Sequence, residues 1–345
     1  MIPLTHEVKA QLAEQKKQCV FCKIINHEIP GKIVFEDAQT MAILDIYPAL
    51  RGHTLFMPKE HYPILPYISQ DEFEHCFGLV PALTKAIKDG IVCTAFNIFI
   101  ANGQAAGQQA PHFLLHLFPR DPGDGFFNFF LKLKKEPLPA EKSSALTANM
   151  ARLMQQYFTQ HPQPWHQGKY DLPAYLKLSG TTIYEDEKVL VQIPTETAAV
   201  GQVDVYSKVE QHFLEKLSAA DSEHFFKVGS FVAALAFELF QAQGTTLLVR
   251  SGVTDDHNTG LLTLSVIPRK MDDALQGMLW KPQQPKYNLD TVLGKIKDKA
   301  WKVGMKEERT GEISKTPKIA TLQAAPVVKA VDWKKEVREA IQKAR

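Results

Sequence analysis

Two hydrophobic periodicities alternate along the first third of the chain. Short runs of crowded or alternating apolar residues predict strands at Lys32–Glu36, Thr40–Leu44, His53–Pro58, Asn97–Ala101 and His112–Phe118. Between the third and fourth strands, apolar residues recur three and four positions apart and predict a helix from about Ser69 to Asp89, whose Ser69 and Glu72 have capping-box spacing. We therefore expect an α+β fold, an antiparallel sheet with a helix on one face.

The same pattern recurs 149 residues further along. VFEDAQTMAILDIYPALRGHT (34–54) aligns without a gap to IYEDEKVLVQIPTETAAVGQV (183–203), and LHLFPR (115–120) aligns to LSVIPR (264–269). Identical pairs include Glu36/Glu185, Asp37/Asp186, Gly52/Gly201, Lys59/Lys208, His75/His224, Gly103/Gly252 and Arg120/Arg269. We interpret this as duplication of one domain, with the second helix at about Ser218–Gln241 and the match ending after Met271.

The remaining segments complete the predicted organisation: a first domain at 1–135, a linker at 136–179, a second domain at 180–280 and an extension at 281–345. Helices are expected near Thr5–Lys17, Ser144–Phe158 and Leu289–Trp301, and after Asp332. Residues Thr310–Val328, rich in Thr, Pro, Ala and Lys, are interpreted as linker.

Composition and charge narrow the function class. The 345 residues are 45% hydrophobic and 23% charged, which excludes a wholly disordered or collagen-like chain. No apolar run reaches the roughly 20 residues of a membrane helix, and the polar N-terminus lacks a secretory signal, so we expect a cytoplasmic protein without a membrane partner. Residues 281–345 hold 16 Lys/Arg and 8 Asp/Glu, a net +8 within a total of +2. This basic tail is either a solvated extension or a contact for an acidic or nucleic-acid partner.

Candidate chemistry is concentrated in the first copy. Cys19 and Cys22 form a C-x-x-C pair, which indicates a metal site, a buried pair or redox chemistry. In the predicted strand His112, Leu114 and His116 alternate and so would share one face. A glycine-containing loop, NGQAAGQQ (102–109), is suited to presenting backbone N–H groups to a phosphate.

These pieces together resemble the histidine triad (HIT) superfamily of nucleotide hydrolases and transferases, in its bacterial zinc-containing type. The matching motifs are CVFCKIINHEIPGKIVFED, LDIYPALRGHTLFMPKEH, NGQAAGQ, HFLLHLFPR and GDGF, in family order over about 110 residues. The resemblance implies structural Zn²⁺ bound by Cys19, Cys22, His61 and His112. Two thiolates and two imidazoles also form a closed tetrahedral zinc site on chemical grounds.

The resemblance also shows what the site lacks. The nucleophilic middle histidine of the family corresponds to Leu114, which has no lone pair for covalent catalysis. The phosphate-binding asparagine and the leaving-group serine correspond to Ala101 and Gln109. Nucleotide-binding positions retained are Asp45, Gly107 and Gln108, and His53 and His116 match the flanking histidines; each also has a purely structural reading.

The second copy departs further: Leu261, Thr263 and Ser265 replace the triad, and Pro194, Gln202 and Glu210 replace Asp45, His53 and His61. The resemblance implies a homodimer with a two-fold axis. We therefore expect two tandem HIT-like domains that form an intramolecular pseudo-dimer, a monomer with pseudo-two-fold symmetry.

Three functions are consistent with the sequence. The first is a zinc-containing pseudoenzyme that binds a purine nucleotide, another ligand or a partner. The second is an active nucleotidyl hydrolase or transferase, acting on a nucleoside phosphoramidate or dinucleoside polyphosphate by a modified mechanism with water or His116. The third, an RNA-associated factor, rests on the basic tail alone.

Overall fold

A computed structural model describes residues 6–126, 138–160, 178–209, 213–273, 275, 280 and 282–304. Six α-helices are described: α1 His6–Gln18, α2 Val20–Ile25, α3 Gln70–Ile91, α4 Ala140–Gln160, α5 Ala219–Phe240 and α6 Leu289–Ala300. Five strands belong to the first half: β1 Ile33–Glu36, β2 Thr40–Leu44, β3 Thr54–Pro58, β4 Ala95–Asn102 and β5 Leu115–Arg120. Five belong to the second: β6 Gly180–Glu185, β7 Val189–Pro194, β8 Val203–Ser207, β9 Gly244–Ser251 and β10 Thr263–Arg269.

All ten strands form one antiparallel sheet whose order reads the same from both ends. The order is β1-β2-β3-β5-β4-β9-β10-β8-β7-β6, so β4 and β9 pair at the centre. In that pair Phe99 lies opposite Leu248, and these two residues are 149 positions apart. Residues at matching positions of the two halves therefore meet at the centre of the sheet, as they would on a two-fold axis.

Residues identical in the two halves make the same contacts in each. Asp186 accepts a hydrogen bond from His224 at 2.8 Å, and Asp37 pairs with His75 at 2.7 Å. The other matching ion pairs are Lys59–Glu36 with Lys208–Glu185, and Arg120–Asp124 with Arg269–Asp273. The identities found in the sequence thus hold the turns between strands and the ends of β5 and β10.

The long helices of the two halves cross on one face of the sheet. Ser69 caps α3 by accepting the N–H of Glu72, and Ser218 caps α5 in the same way. At the crossing the rings of Phe77 and Phe226 lie 4.5 Å apart, and Ser222 donates a 2.7 Å hydrogen bond to the Phe77 carbonyl. Apolar side chains of both helices and both halves of the sheet join in one buried core.

Each half is covered by a helix that follows the other half in sequence. Helix α4 packs on β6 and α5, whereas α6 packs on β1 and α3, burying Val292 and Ile296. The two helices begin 149 residues apart, at Ala140 and Leu289. The structural correspondence thus extends beyond Met271, where the sequence match ends, because these helices share position with little identity.

The other expected elements fall close to their observed bounds, with one exception. The strand predicted at His112–Phe118 begins only at Leu115, because the Phe113 N–H bonds the Tyr62 carbonyl and turns the chain away from the sheet. The linker at 310–328 and the helix after Asp332 lie outside the described residues. Among the described helices, none is long and apolar enough to cross a membrane.

Candidate functional site

Four predicted metal ligands come together where α2 meets the start of β5. The donor atoms of Cys19, Cys22, His61 and His112 all lie within 4.8 Å of one another, and all four residues are buried. Cys22 Sγ is 3.3 Å from His61 Nδ1, and His112 Nδ1 is 3.6 Å from both sulfurs. Zinc bonds of about 2.3 Å to sulfur and 2.0–2.1 Å to nitrogen give sulfur–nitrogen separations of about 3.6 Å at the tetrahedral angle. The spacing fits a four-coordinate zinc ion.

The surroundings of these four residues favour the binding of a cation. His112 Nε2 donates to the Pro58 carbonyl at 3.0 Å, which leaves the Nδ1 lone pair facing the sulfurs. Burial lowers the pKa of His112 to about 4 and also lowers that of His61, so both imidazoles are neutral near pH 7. Burial, then the neighbouring Cys19, raises the pKa of the metal-free Cys22 thiol to about 12. The metal-free Cys22 thiol therefore keeps its proton near pH 7, and a bound metal would displace that proton to solvent.

A cavity of about 410 Å³ adjoins this cluster, and His112, Leu114 and His116 all line it. Its walls are mainly apolar. Leu114 packs against a buried cluster formed by Met41, Ile43, Leu55 and Met57, with α2 side chains beside it. The residue at the nucleophile position is thus part of a hydrophobic wall.

Two buried histidines and one carboxylate lie deeper on the same side. His53 Nε2 and His116 Nδ1 are 3.1 Å apart, and His53 Nδ1 is 3.3 Å from the Asp45 carboxylate. Burial lowers the pKa of His116 to about 4; burial and the charge of His116 hold that of His53 well below its ordinary value. Burial also raises the pKa of Asp45, although the Tyr47 N–H donates to it. Because His53 is neutral near pH 7 and its Nδ1 accepts the Ala49 N–H at 3.4 Å, its approach to Asp45 is a close contact and not an ion pair.

The glycine-containing loop is closed on itself. Gly107 adopts φ of 87°, a left-handed conformation that favours glycine, at the end of a short 3₁₀ turn. The Gln108 side chain accepts from the Gly103 N–H at 2.8 Å and donates to the carbonyls of Pro63 and Ala110. The cavity is lined by Gly107, Gln108 and Gln109. The Gln108 amide is already engaged in the hydrogen bonds that close the loop.

One residue of the site was missed by the sequence analysis. Trp280, far along the chain, lies over the first-half histidines, with its ring 5.0 Å from His116 and 5.9 Å from His53. It also contacts Phe99 edge-on at 5.2 Å. A tryptophan beside the predicted basic tail carries no local signal of this position, since only the folding of the second half onto the first brings it there.

The corresponding place in the second half is filled by its own side chains. Arg250 stands at the position of Ala101 and donates to Ser265, which stands at the position of His116, at 2.8 Å. Gln202 donates to Asp204 at 3.1 Å and accepts from the Ala198 N–H, as His53 does from Ala49. Leu261 and Thr263 are buried and Pro194 ends β7; Glu210 lies outside the described residues.

Comparisons with known proteins include a family match within the first half. The HIT domain model matches residues 26–123. An uncharacterised HIT-like protein of Methanocaldococcus jannaschii is 42% identical over 107 residues, 31% of this chain and 82% of that protein. Adenosine 5'-monophosphoramidase of Schizosaccharomyces pombe is 35% identical over 102 residues, 30% of this chain and 74% of that protein. Adenylylsulfatase HINT3 of Arabidopsis thaliana is 36% identical over 116 residues, 34% of this chain and 59% of that protein.

Proposed function

The chain belongs to the HIT family, and from this premise we propose that it is a catalytically silent binding protein whose first half takes a nucleotide-type ligand. Relatives with names that refer to adenosine phosphoramidate or adenylyl sulfate chemistry support the ligand class. The protein would retain a ligand cavity without the nucleotidyl hydrolase or transferase reaction of the family.

Leu114 is the observation that carries this proposal. Covalent catalysis at phosphorus needs a lone pair on the attacking atom, and a leucine side chain has none. Its packing against Ile43 and Leu55 gives it a structural role as well, so the wall is adapted to an apolar residue. Loss of a nucleophile costs of order 10⁶ in turnover in a well-studied protease.

His116 is poorly suited to replace the lost nucleophile. Its Nδ1 is engaged with His53, and the rings of Phe118, Phe99 and Trp280 surround it. Asp45 lines the cavity with an accepting carboxylate, which suits the hydroxyl groups of a ribose. These residues favour holding a ligand over transferring part of it.

Zinc would be held by Cys19, Cys22, His61 and His112, and the closed set of four protein ligands leaves it a structural role. The ion would fix α2 to the start of β5 and so set one wall of the cavity. His112 serves both features, because it contacts the sulfurs and lines the cavity.

The two halves are proposed to be a tandem duplication that reproduces a two-fold dimer within one chain. The palindromic strand order, the Phe99–Leu248 pairing and the matching ion pairs support this origin. We accordingly propose a cytoplasmic monomer. Its second half supplies Trp280 and the strand β9, which pairs with β4. An acidic or nucleic-acid partner of the tail stays a sequence-based prediction.

Turnover measurements test the proposal directly. Full-length, zinc-loaded protein is incubated with adenosine phosphoramidate and with a dinucleoside polyphosphate, while adenosine and AMP binding is followed by calorimetry. We expect binding without turnover. Ordinary enzyme rates on either substrate would establish the alternative, an active hydrolase or transferase with a modified mechanism. Absence of any nucleoside or nucleotide binding would remove the proposed ligand class.

A further inference from the structure

We infer that the cavity selects an uncharged nucleoside over its phosphorylated forms. The inference rests on the proposed function, because it concerns the same cavity. It goes further by assigning the chemical class of the ligand, and it excludes the phosphate on which relatives of this chain act.

Electrostatics of the cavity wall give the first reason. Among the described residues that line the cavity, only Lys32 and Asp45 carry charged side chains. Lys32 already pairs with Asp290 at 2.5 Å, and the Asp45 carboxyl group offers a phosphate no positive charge. A phosphate in this cavity would lose water without gaining a dedicated cation from the described part of the chain, and transfer of an ion from water without a partner is strongly unfavourable.

The loop gives the second reason. A loop that cradles phosphate must point unused backbone N–H groups at the ligand. Here four amides of the loop donate inside the loop itself: those of Gly103, Ala106, Gly107 and Gln108. The Gln108 side chain, which bonds four backbone groups, holds this closed arrangement. The expectation that the loop presents its N–H groups to a phosphate is not met by these four amides.

The apolar wall gives the third reason, and it also says what the cavity can accept. Leu114 and Ala101 face the cavity where a phosphate would need donors. Phe99 and Trp280 offer aromatic surface suited to a planar base, while Asp45 offers an acceptor suited to ribose hydroxyls. A nucleoside satisfies the carboxylate and the aromatic surface and brings no charge into the apolar part.

Paired titrations with adenosine and AMP test the inference. With the full-length, zinc-loaded protein we expect adenosine to bind at least about tenfold more tightly than AMP, because a buried, unpaired phosphate is disfavoured. Equal binding, or tighter binding of AMP, overturns the selectivity and leaves the proposed function standing. Failure of both probes to bind overturns the inference together with the proposed ligand class.

A charge placed at the rim of the cavity tests the cause. Gln109 is exposed and lines the cavity, so Gln109→Arg adds a cation there without disturbing the core. We expect it to narrow the adenosine-to-AMP ratio by about tenfold, since a charge-assisted contact to phosphate becomes available. Gln104→Arg, in the same loop but outside the cavity lining, is the matched control and should leave the ratio within about twofold. An equal change in both variants, or none in Gln109→Arg, would contradict the assigned cause.

Discussion

Metal binding is the property most directly tied to single residues. The cluster places two thiols and two neutral imidazoles at zinc-compatible distances, and removal of one thiol leaves an incomplete set. We expect one zinc ion per chain and its loss in Cys22→Ser. Zinc binding provides of order 10 kcal/mol in small zinc peptides, so a fall of roughly 10 °C or more in Tm should accompany the loss.

Elemental analysis and thermal melting measure both effects. Cys93→Ser is the control, because Cys93 is a half-buried cysteine outside the cluster. A zinc-free wild-type protein of normal stability would contradict the assignment.

Placing a histidine at position 114 tests whether the proposed loss of activity is due to that one position. Leu114→His returns an imidazole to the cavity, but Ala101 and Gln109 still deny groups that would hold phosphate and leaving group. One oriented hydrogen bond in a transition state is worth roughly 10²–10³ in rate. The single variant should therefore gain little, and the triple variant with Ala101→Asn and Gln109→Ser should turn over adenosine phosphoramidate visibly faster.

The outcome of that assay separates two causes. A triple variant that binds adenosine yet stays inert would show that the site differs at further positions, of which the closed loop is the foremost. Loss of adenosine binding in Asp45→Asn, measured beside it, checks that the ligand occupies the proposed cavity.

At the scale of elements, the approach of α6 to α3 depends on one glycine. A Cβ at Gly90 would lie 2.8 Å from Ile296 Cα and 2.9 Å from the Lys295 carbonyl oxygen, both backbone atoms that cannot turn aside. Gly90→Ala should push α6 outward and cost about 1–3 kcal/mol of unfolding free energy, in the range of overpacked cores. Urea denaturation measures this cost.

Gly294 on α6 is the matched control for that substitution. It has open space around a Cβ, so Gly294→Ala should stabilise the helix by about 0.5–1 kcal/mol. If both substitutions lower the free energy of unfolding by equal amounts, the close contact at Gly90 is not the cause of the destabilisation.

For the whole molecule, buried neutral histidines make stability fall in mild acid. Burial, then the charge of Arg250, lowers the pKa of His257 to about 3, while the unfolded chain titrates near 6.5. As pH drops below 6.5 the unfolded state takes up a proton that the folded state refuses, so stability is lost between about pH 6.5 and 3. At pH 4.5 this residue alone should cost about 2–3 kcal/mol. His257→Asn should be less sensitive than wild type between pH 7 and 4.5 in urea denaturation, and equal sensitivity would contradict the argument.

The two halves share extensive contacts, and we expect these contacts to hold the halves together without the connecting chain. The halves share the β4–β9 pairing, the crossing of α3 and α5, and the buried Arg120–Asp256 ion pair at 3.0 Å. We expect a chain cut at a protease site inserted near residue 168 to elute from a sizing column as one species at the mass of the uncut protein. Separation into two folded halves would show that these contacts do not hold the halves together without the connecting chain.

The sequence by itself determined the local and the chemical features. Helix and strand periods and the capping residues are encoded within short windows, the repeat at 149 positions is visible by alignment, and the elements predicted within the described residues were observed. The four residues of the candidate zinc cluster were also identifiable, because few residue types bind zinc and their motif spacing is distinctive. HIT family membership followed from the same motifs and is confirmed by the comparisons.

Only the tertiary structure decided how the halves serve each other. The exchange of α4 and α6, the position of Trp280 over His116 and the filling of the second site by Arg250 all depend on residues far apart in sequence. The late start of β5 likewise depends on the Tyr62 carbonyl, which no local period indicates. These features were not predictable because periodicity reports which face of an element is apolar, whereas the identity of the surface that covers it is settled by packing across the whole chain.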